Sequence, residues 1–424
     1  MALASPKEKE IIHILSILAL NPQHSDEAFT AFERLSESER EEFLSLADSN
    51  HVVLRALEPL QRQAASRAAE ADKRNLPQVS AEQPKGPFAT GGTASQAVRV
   101  DSKEFLGGAE PGASVSKEFL GDAEPGASIA TYVGIAEWAG TQIKRERGRV
   151  AKALASLHEI CSELEAAGCA TSVMKSLDHY PDLGSDLDLY TTADEGAVAE
   201  VMTKRFQAHI EARSWGDRLA HKWNFGVPGL PEAIEVHAQR LGQTGEHTRM
   251  AERFVSRRVE KTVGGYSFLV PAPEERLIVA TLQRMYRHFY FRVCDIDNSG
   301  TLVDSGAVDF AELKRAADLG GIWPGVCSYL KIVSDYLARY RGHGLNLPKN
   351  VVEAAPFGGE KIYVRARYIR VPIVPQGAKL YTKQVTRTAL DGNVLATLRL
   401  SLLPPLASAA ALSYKLTGSD KGIW

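Results

Sequence analysis

The sequence predicts an α+β protein in which a small mixed sheet is flanked by N- and C-terminal helices. Three observations predict it. Apolar residues recur at helical spacing over residues 7 to about 73 and again from Pro273. Between these stretches, short segments alternate apolar and polar residues as half-buried strands do. A segment rich in Gly, Pro, Ala, Ser and Glu, residues 75–130, separates the first helices from the rest.

The N-terminal helical region spans residues 1–74. Ile11, Ile12, Leu15, Leu18 and Leu20 share helical spacing, as do Phe29, Phe32 and Leu35, and then Phe43, Leu46, Leu54, Leu57 and Leu60. Ser36 to Glu39 has the character of a capping box. In the 75–130 segment, Ser102–Val115 is repeated at once as Ser116–Ile129, differing only at Gly108/Asp122 and Val115/Ile129. A 14-residue period is too short for a solenoid unit, and the segment reads as a flexible linker rather than as two Phe-Leu docking peptides. A core over 131–270 then opens with a helix whose face holds Val150, Leu154, Leu157, Cys161 and Leu164, with Gly168 as its C-cap. Strands are expected at 170–174, from Asp186 to Tyr190, at 221–227 and at 233–238, with a helix over 195–206. A helix from Pro273 to about Tyr290 and two more between Asp309 and Tyr340 form a helical region over 271–350. Residues 361–373 and 392–402 are rich in β-branched and alternating residues, which suggests a β-containing C-terminal extension over 351–424.

Composition sets bounds on function. Of 424 residues, 44% are apolar and 24% charged, enough to bury a sizeable core. Lys+Arg is 50 against Asp+Glu 52, so charge gives no indication of a nucleic-acid partner, although a local basic patch remains open. Cys161, Cys169, Cys294 and Cys327 have no zinc spacing and read as reduced and mostly buried, as in a cytoplasmic protein. The apolar run after Lys7–Glu10 lacks a cleavage site and reads as a helix start. No run is seen as approaching the ~20 apolar residues that span a bilayer, so no membrane partner is expected.

The chemistry lies in the segment ending Ser185-Asp186-Leu187-Asp188-Leu189-Tyr190. Residues i and i+2 of a strand share a face, so Asp186 and Asp188 present two carboxylates together while Leu187 and Leu189 turn to the core. Two like charges this close call for a cation, and hard oxygen ligands suit Mg²⁺ or Mn²⁺. Glu235, within Ile234-Glu235-Val236-His237, offers a third carboxylate that would complete the metal site and draw the proton from an attacking hydroxyl. Lys175 and Ser176 precede Asp186 by about ten residues, where a lysine and a hydroxyl with nearby backbone N–H groups can receive a triphosphate. Such a set suits transfer of a nucleotide from an NTP.

The order strand, Lys175-Ser176, Tyr180-Pro181, Ser185-Asp186-Leu187-Asp188-Leu189, then Ile234-Glu235-Val236-His237 resembles the DNA-polymerase-beta-like nucleotidyltransferase superfamily. More narrowly, it is similar to a bacterial family of uncharacterised nucleotidyltransferases. Flanking echoes are Glu41–Leu60, Pro273-Glu274 with His288 and Asp295, and Asp309–Pro348. The resemblance implies a small mixed-sheet nucleotidyltransferase core over 131–270, with Asp186, Asp188 and Glu235 catalytic and metal-holding. It further implies Lys175, Ser176, Ser185, Arg218 and Lys222 around the nucleotide, Mg²⁺ or Mn²⁺ as cofactor, an NTP such as ATP as donor, and an acceptor that is a small molecule, a protein or RNA. Ser176 departs from that family, which has Gly after Lys; serine is common there in the wider superfamily.

Other signals are weaker. Asp295 to Leu302 matches the start of a calcium loop, but Gly306 stands where a bidentate Glu is required, so the segment reads as a polar turn. Arg213, Arg218, His221 and Lys222 either reach a triphosphate or form a solvated basic loop. His237 is either a partner of the acidic site or a half-buried strand histidine. Arg284, Arg287, His288 and Arg292, interleaved with Tyr286, Phe289, Tyr290 and Phe291, read as core aromatics with surface arginines before they read as a base- or RNA-gripping helix. Two further functions stay open: a non-catalytic module that binds a nucleotide or partner, and an Asp-x-Asp glycosyltransferase.

Overall fold

The computed structural model describes residues 6–75 and 128–417. The duplicated Phe-Leu segment lies outside the described residues. The chain is α+β, with a small mixed sheet and helices on both sides of it in sequence.

In chain order, helices α1 (Pro6–Leu20), α2 (Ser25–Glu33), α3 (Glu37–Ser49) and α4 (Val53–Asn75) come first, and α5 (Ile129–Ala166) follows. The expected capping box is formed: Ser36 Oγ accepts from the Glu39 N–H, and Glu39 accepts from the Ser36 N–H at 2.7 Å. Gly168, just past α5, takes φ +79°, the left-handed geometry that a C-terminal glycine supplies. Then come β1 (Thr171–Val173), β2 (Asp186–Thr191), α6 (Glu195–Phe206), β3 (His209–Ile210), α7 (Trp215–Leu219), β4 (Lys222–Gly226) and β5 (Ala233–Ala238). Two short helices, α8 (Thr248–Ala251) and α9 (Arg253–Ser256), lead to the hairpin β6 (Arg258–Val263) and β7 (Tyr266–Pro271). Next stand α10 (Pro273–Thr281), β8 (Tyr290–Phe291), α11 (Val293–Asp304), α12 (Phe310–Asp318) and α13 (Trp323–Arg341). The C-terminal part holds α14 (Lys349–Ala354), β9 (Tyr363–Arg365), β10 (Tyr368–Arg370), α15 (Ala378–Leu390), α16 (Val394–Ser401) and α17 (Leu403–Thr417).

The main sheet has the order β1-β2-β5-β4-β3, with β2 and β5 parallel and the other pairs antiparallel. Alternation decides its faces. Leu187, Leu189, Ile234, Val236 and Phe225 are fully buried against a core that includes Leu154, Leu157, Ile160 and Leu164 of α5 and Val198 and Met202 of α6. The other face carries Asp186, Asp188 and Glu235, then Tyr190, whose ring lies 5.7 Å from Phe254 in a second core built by the N- and C-terminal helices. The carboxylates therefore lie between two hydrophobic bodies.

Three expectations are corrected. Asp295–Leu302 is not a turn but lies inside α11. Asp295 caps that helix by accepting from the Arg292 N–H at 2.7 Å, and Asp297 is paired with Arg55 (3.3 Å) and Arg341 (2.8 Å), so these carboxylates have structural partners. Most of residues 392–402 is helical, because Asn393 accepts from the Ala396 N–H and starts α16; among the described residues only β9 and β10 give the C-terminal region strand character, β10 pairing with both β9 and β8. The helix expected to run to Tyr290 is regular only to Thr281; it continues as a π-helical turn over Leu282–Arg287 and ends before Phe289, at φ 52°. The hairpin β6–β7 was not foreseen, although Gly264-Gly265, both at positive φ, is a two-residue hairpin signal between alternating segments.

The membrane expectation also needs amending. Val394–Thr417 is long and apolar enough to cross a bilayer by length and composition, and only 18% of its most apolar window is buried. All four cysteines are free, three of them buried and Cys161 half-buried.

A buried carboxylate joins the helical body to the loop before β2. Asp182 accepts from the Leu54 N–H at 2.6 Å and from the Arg55 N–H at 3.4 Å, at the open N-terminus of α4. Burial pushes its carboxyl up to about 7, against the opposing pull of the Leu54 N–H and Arg55. An unfolded aspartate titrates near 3.9, so the folded state binds the extra proton. That stabilisation is complete below the unfolded value and is lost as pH rises through about 7. Asp182→Asn keeps an acceptor and never ionises. Wild-type Tm should therefore fall relative to the variant as pH is raised from about 4 to about 8; thermal melts showing a constant difference would contradict this.

Candidate active site

The site is built on the parallel pair β2–β5. Their register sets Asp186 opposite Ala233, Asp188 opposite Glu235, and Tyr190 opposite His237. Across β5, Asn224 faces Glu235 and Lys222 faces His237. Neighbouring strands lie about 4.8 Å apart, so Asp188 and Glu235 are held as near neighbours by backbone hydrogen bonds alone. Asp188 is 1% exposed and Glu235 and His237 are each 7% exposed, whereas Asp186, at the start of β2, is open to solvent.

Two buried like charges are costly, and the fold places a cation on each. Lys175 Nζ lies 2.7 Å from Asp188 Oδ1, as an ion pair without hydrogen-bond alignment. Lys222 Nζ lies 2.7 Å from Glu235 Oε2 and 3.7 Å from Asp217 Oδ1. His237 Nε2 is 2.8 Å from Glu235 Oε1, which leaves the buried His237 Nδ1 without a hydrogen-bond partner. Burial pushes the Asp188 carboxyl up, with Lys175 opposing and the Glu235 charge adding. At Glu235 burial also acts upward, but the hydrogen bond from His237 and the charges of Lys222 and Lys175 outweigh it and hold the carboxyl well below the usual range. Partial desolvation, then the nearby Glu235 charge, raises Asp186.

The loop before β2 is shaped by the same residues. Ser176 is buried; its hydroxyl accepts from the Asp188 N–H at 2.8 Å and lies 3.2 Å from both Asp186 O and Asp188 Oδ2. It thus fixes the start of β2. Arg149 of α5 donates to the carbonyls of Leu183 (2.9 Å) and Gly184 (3.3 Å) and pairs with buried Glu232 at 2.5 Å, tying the chain before Asp186 to the chain before β5. On the far side, His179 stacks on His51 with ring centres 5.2 Å apart and meets Asn298 at 2.8 Å.

Of the residues proposed from sequence, the fold brings together Lys175, Ser176, Asp188, Lys222 and Glu235. Asp186 and Ser185 stand at the exposed edge, and Arg218 is exposed on α7. Arg213 and His221 are committed elsewhere: Arg213 lies over the Trp223 ring and, like His221, pairs with Glu195, at 3.3 Å and 2.7 Å. Arg284, expected at the surface, is 2% exposed and paired with Asp295 at 2.7 Å, while Tyr290 stacks on Tyr368. His237 was left undecided by the sequence. The structure puts it with Asp188 and Glu235 in a group whose ligand atoms lie within 4.8 Å of one another. Its i+2 spacing from Glu235 was the available signal.

The donor set fits a divalent cation. Two carboxylates and an imidazole converge closely enough to ligate one ion, and Asp188 Oδ1 has no aligned hydrogen bond, while Lys175 and Lys222 hold the countercharge at the two carboxylates. No protein-family model matches this chain, and no curated protein matches it.

Removing one cation tests the balance. Lys222→Met leaves Glu235 buried with His237 alone, and urea unfolding should show a loss of about 3–5 kcal/mol. Millimolar Mn²⁺ should recover part of that loss, and Asp188→Asn in the same background should abolish the recovery. Indifference of the single variant to Mn²⁺ would count against a cation site.

Proposed function

We propose that this protein is a metal-dependent nucleotidyltransferase that moves an NMP from an NTP to an acceptor hydroxyl or phosphate. The observation that carries the reading is the pairing of Asp188 with Glu235 on adjacent parallel strands, with His237 converging on them and Asp186 open beside them. The likeness of Lys175-Ser176 and Ser185-Asp186-Leu187-Asp188 to nucleotidyltransferase motifs supports the same reading.

A divalent ion held by Asp188 and Glu235 with His237 would acidify the acceptor hydroxyl and neutralise charge on the reacting phosphate. The chain's own groups do the rest. Lys175 and Lys222, paired with Asp188 and Glu235, have flexible stems, and their ammonium groups would turn to the triphosphate were those carboxylates to hold a cation. Ser176 acts through the backbone, holding Asp186 and Asp188 at the start of β2. Asp186, the carboxylate an incoming hydroxyl can reach, accepts the proton as the acceptor oxygen bonds to the α-phosphorus. The bond from that phosphorus to the bridging oxygen breaks, and pyrophosphate leaves with the electron pair.

One observation favours a second reading. Both buried carboxylates are already neutralised by lysine, as in a non-catalytic module that keeps the fold to bind a nucleotide or a partner. Labelling separates the two. Purified protein with radiolabelled NTP, Mg²⁺ or Mn²⁺ and a cell extract should transfer label, and Asp186→Asn, at the exposed start of β2, should lower transfer by at least ~100-fold without lowering Tm. Metal-independent nucleotide binding with no pyrophosphate released from any NTP would instead establish the binding module.

A further inference from the structure

Helix α15 turns its lysines to solvent, and α16, which follows it, turns most of its large apolar side chains to solvent as well. On α15, Leu380, Gln384 and Thr388 face inward, with Gln384 Nε2 near His247 Nε2 (3.3 Å) and Gly320 O (3.5 Å). On α16 the arginine is the anchored residue: Arg399 donates to the carbonyls of Thr244 (3.1 Å) and Gly245 (2.7 Å), and Thr244 Oγ1 donates back to Arg399 O at 3.0 Å. Tyr381 OH also donates to Leu400 O at 2.9 Å. These contacts fix α16 with Ala396 and Leu400 turned inward and Val394, Leu395 and Leu398 turned to solvent. Val394, Leu395 and Leu398 of α16 are 69, 57 and 62% exposed and share one face at i, i+1 and i+4, and Leu390 at the end of α15 is 78% exposed. Several large apolar side chains exposed within one helix and the end of its neighbour are more than the scattered single exposures of an ordinary surface.

The charge beside the patch says what covers it. The chain as a whole is −2, yet residues 373–417 hold Lys379, Lys383, Arg387, Arg399 and Lys415 against Asp391 alone, a local balance of 5 − 1 = +4. Arg387 is offset by Asp391 at 3.1 Å and Arg399 is turned inward, so Lys379, Lys383 and Lys415 are the cations presented outward, and none has an ion-pair partner among the described residues. A second copy of the patch would bring these charges together, whereas an anionic lipid surface takes both the leucines and the lysines. We propose that α15–α17 form an interfacial membrane-binding element for anionic lipid headgroups. Pro404 and Pro405, in the first turn of α17, divide the apolar stretch into two helices, which suits lying along the interface rather than crossing it. The proposal is independent of the nucleotidyl-transfer reading.

Co-sedimentation of the full chain with sucrose-loaded vesicles tests it, comparing phosphatidylcholine alone with phosphatidylcholine containing phosphatidylserine at roughly one lipid in three. Binding is expected to the anionic vesicles and to weaken with salt. Leu395→Asp/Leu398→Asp and, separately, Lys379→Glu/Lys383→Glu should each lower partitioning about tenfold or more. Circular dichroism melts check folding; should the leucine pair misfold, the fully exposed lysine pair carries the test. No partitioning, partitioning that ignores both pairs of substitutions, or equal binding to neutral vesicles would overturn the proposal. So would a dimer in light scattering that Leu395→Asp/Leu398→Asp disperses while wild type ignores vesicles, since the patch would then belong to a second copy.

Discussion

The parallel pairing of β2 with β5 imposes the constraint around which the site is organised. It sets Asp188 beside Glu235, both almost fully buried, and the backbone ladder leaves neither carboxylate room to retreat. Lys175 arrives from the loop before β2, Lys222 from β4, and His237 from the next inward-facing position of β5. Each occupies its place because a buried carboxylate without compensation costs several kcal/mol. The same balance makes the site responsive: whatever brings positive charge to the carboxylates releases the lysines.

Holding that geometry takes more than the sheet. The loop from Lys175 to Ser185 is fastened on three sides, by Ser176 to β2, by Arg149 to α5 and Glu232, and by Asp182 to the start of α4. These polar fastenings join the sheet's core to the core of the helical body, so the candidate site and the packing of the two bodies are not separable. The π-helical turn over Leu282–Arg287 lies on the helical side, where Arg284 is buried against Asp295.

Much of the site was legible because strand geometry is local. The i, i+2 rule places Asp186 with Asp188 and Glu235 with His237, and turns Leu187, Leu189, Ile234 and Val236 to the core with no knowledge of partners. Helix ends were legible for a similar reason, as the Ser36–Glu39 box and Gly168 show. Errors arose where a local pattern had two readings. Asp295–Leu302 carries turn-like residues, but its carboxylates find Arg55, Arg284 and Arg341, and pairing with distant arginines makes a helix there stable. Residues 392–402 alternate like a strand, yet Asn393 caps a helix.

By itself the sequence determined the α+β class, the helical flanks, the acidic strand faces and the uncommitted charge balance, because these follow from periodicity and composition over a few residues. The tertiary structure decided which acid meets which cation, that Ser176 positions β2 through its backbone, and that His237 joins the carboxylates. It also decided that Val394, Leu395 and Leu398 of α16 face outward while Leu400 is buried and Arg399 is tied to Thr244 and Gly245. These outcomes depend on register between strands and on contacts between residues far apart in the chain, which no local pattern specifies.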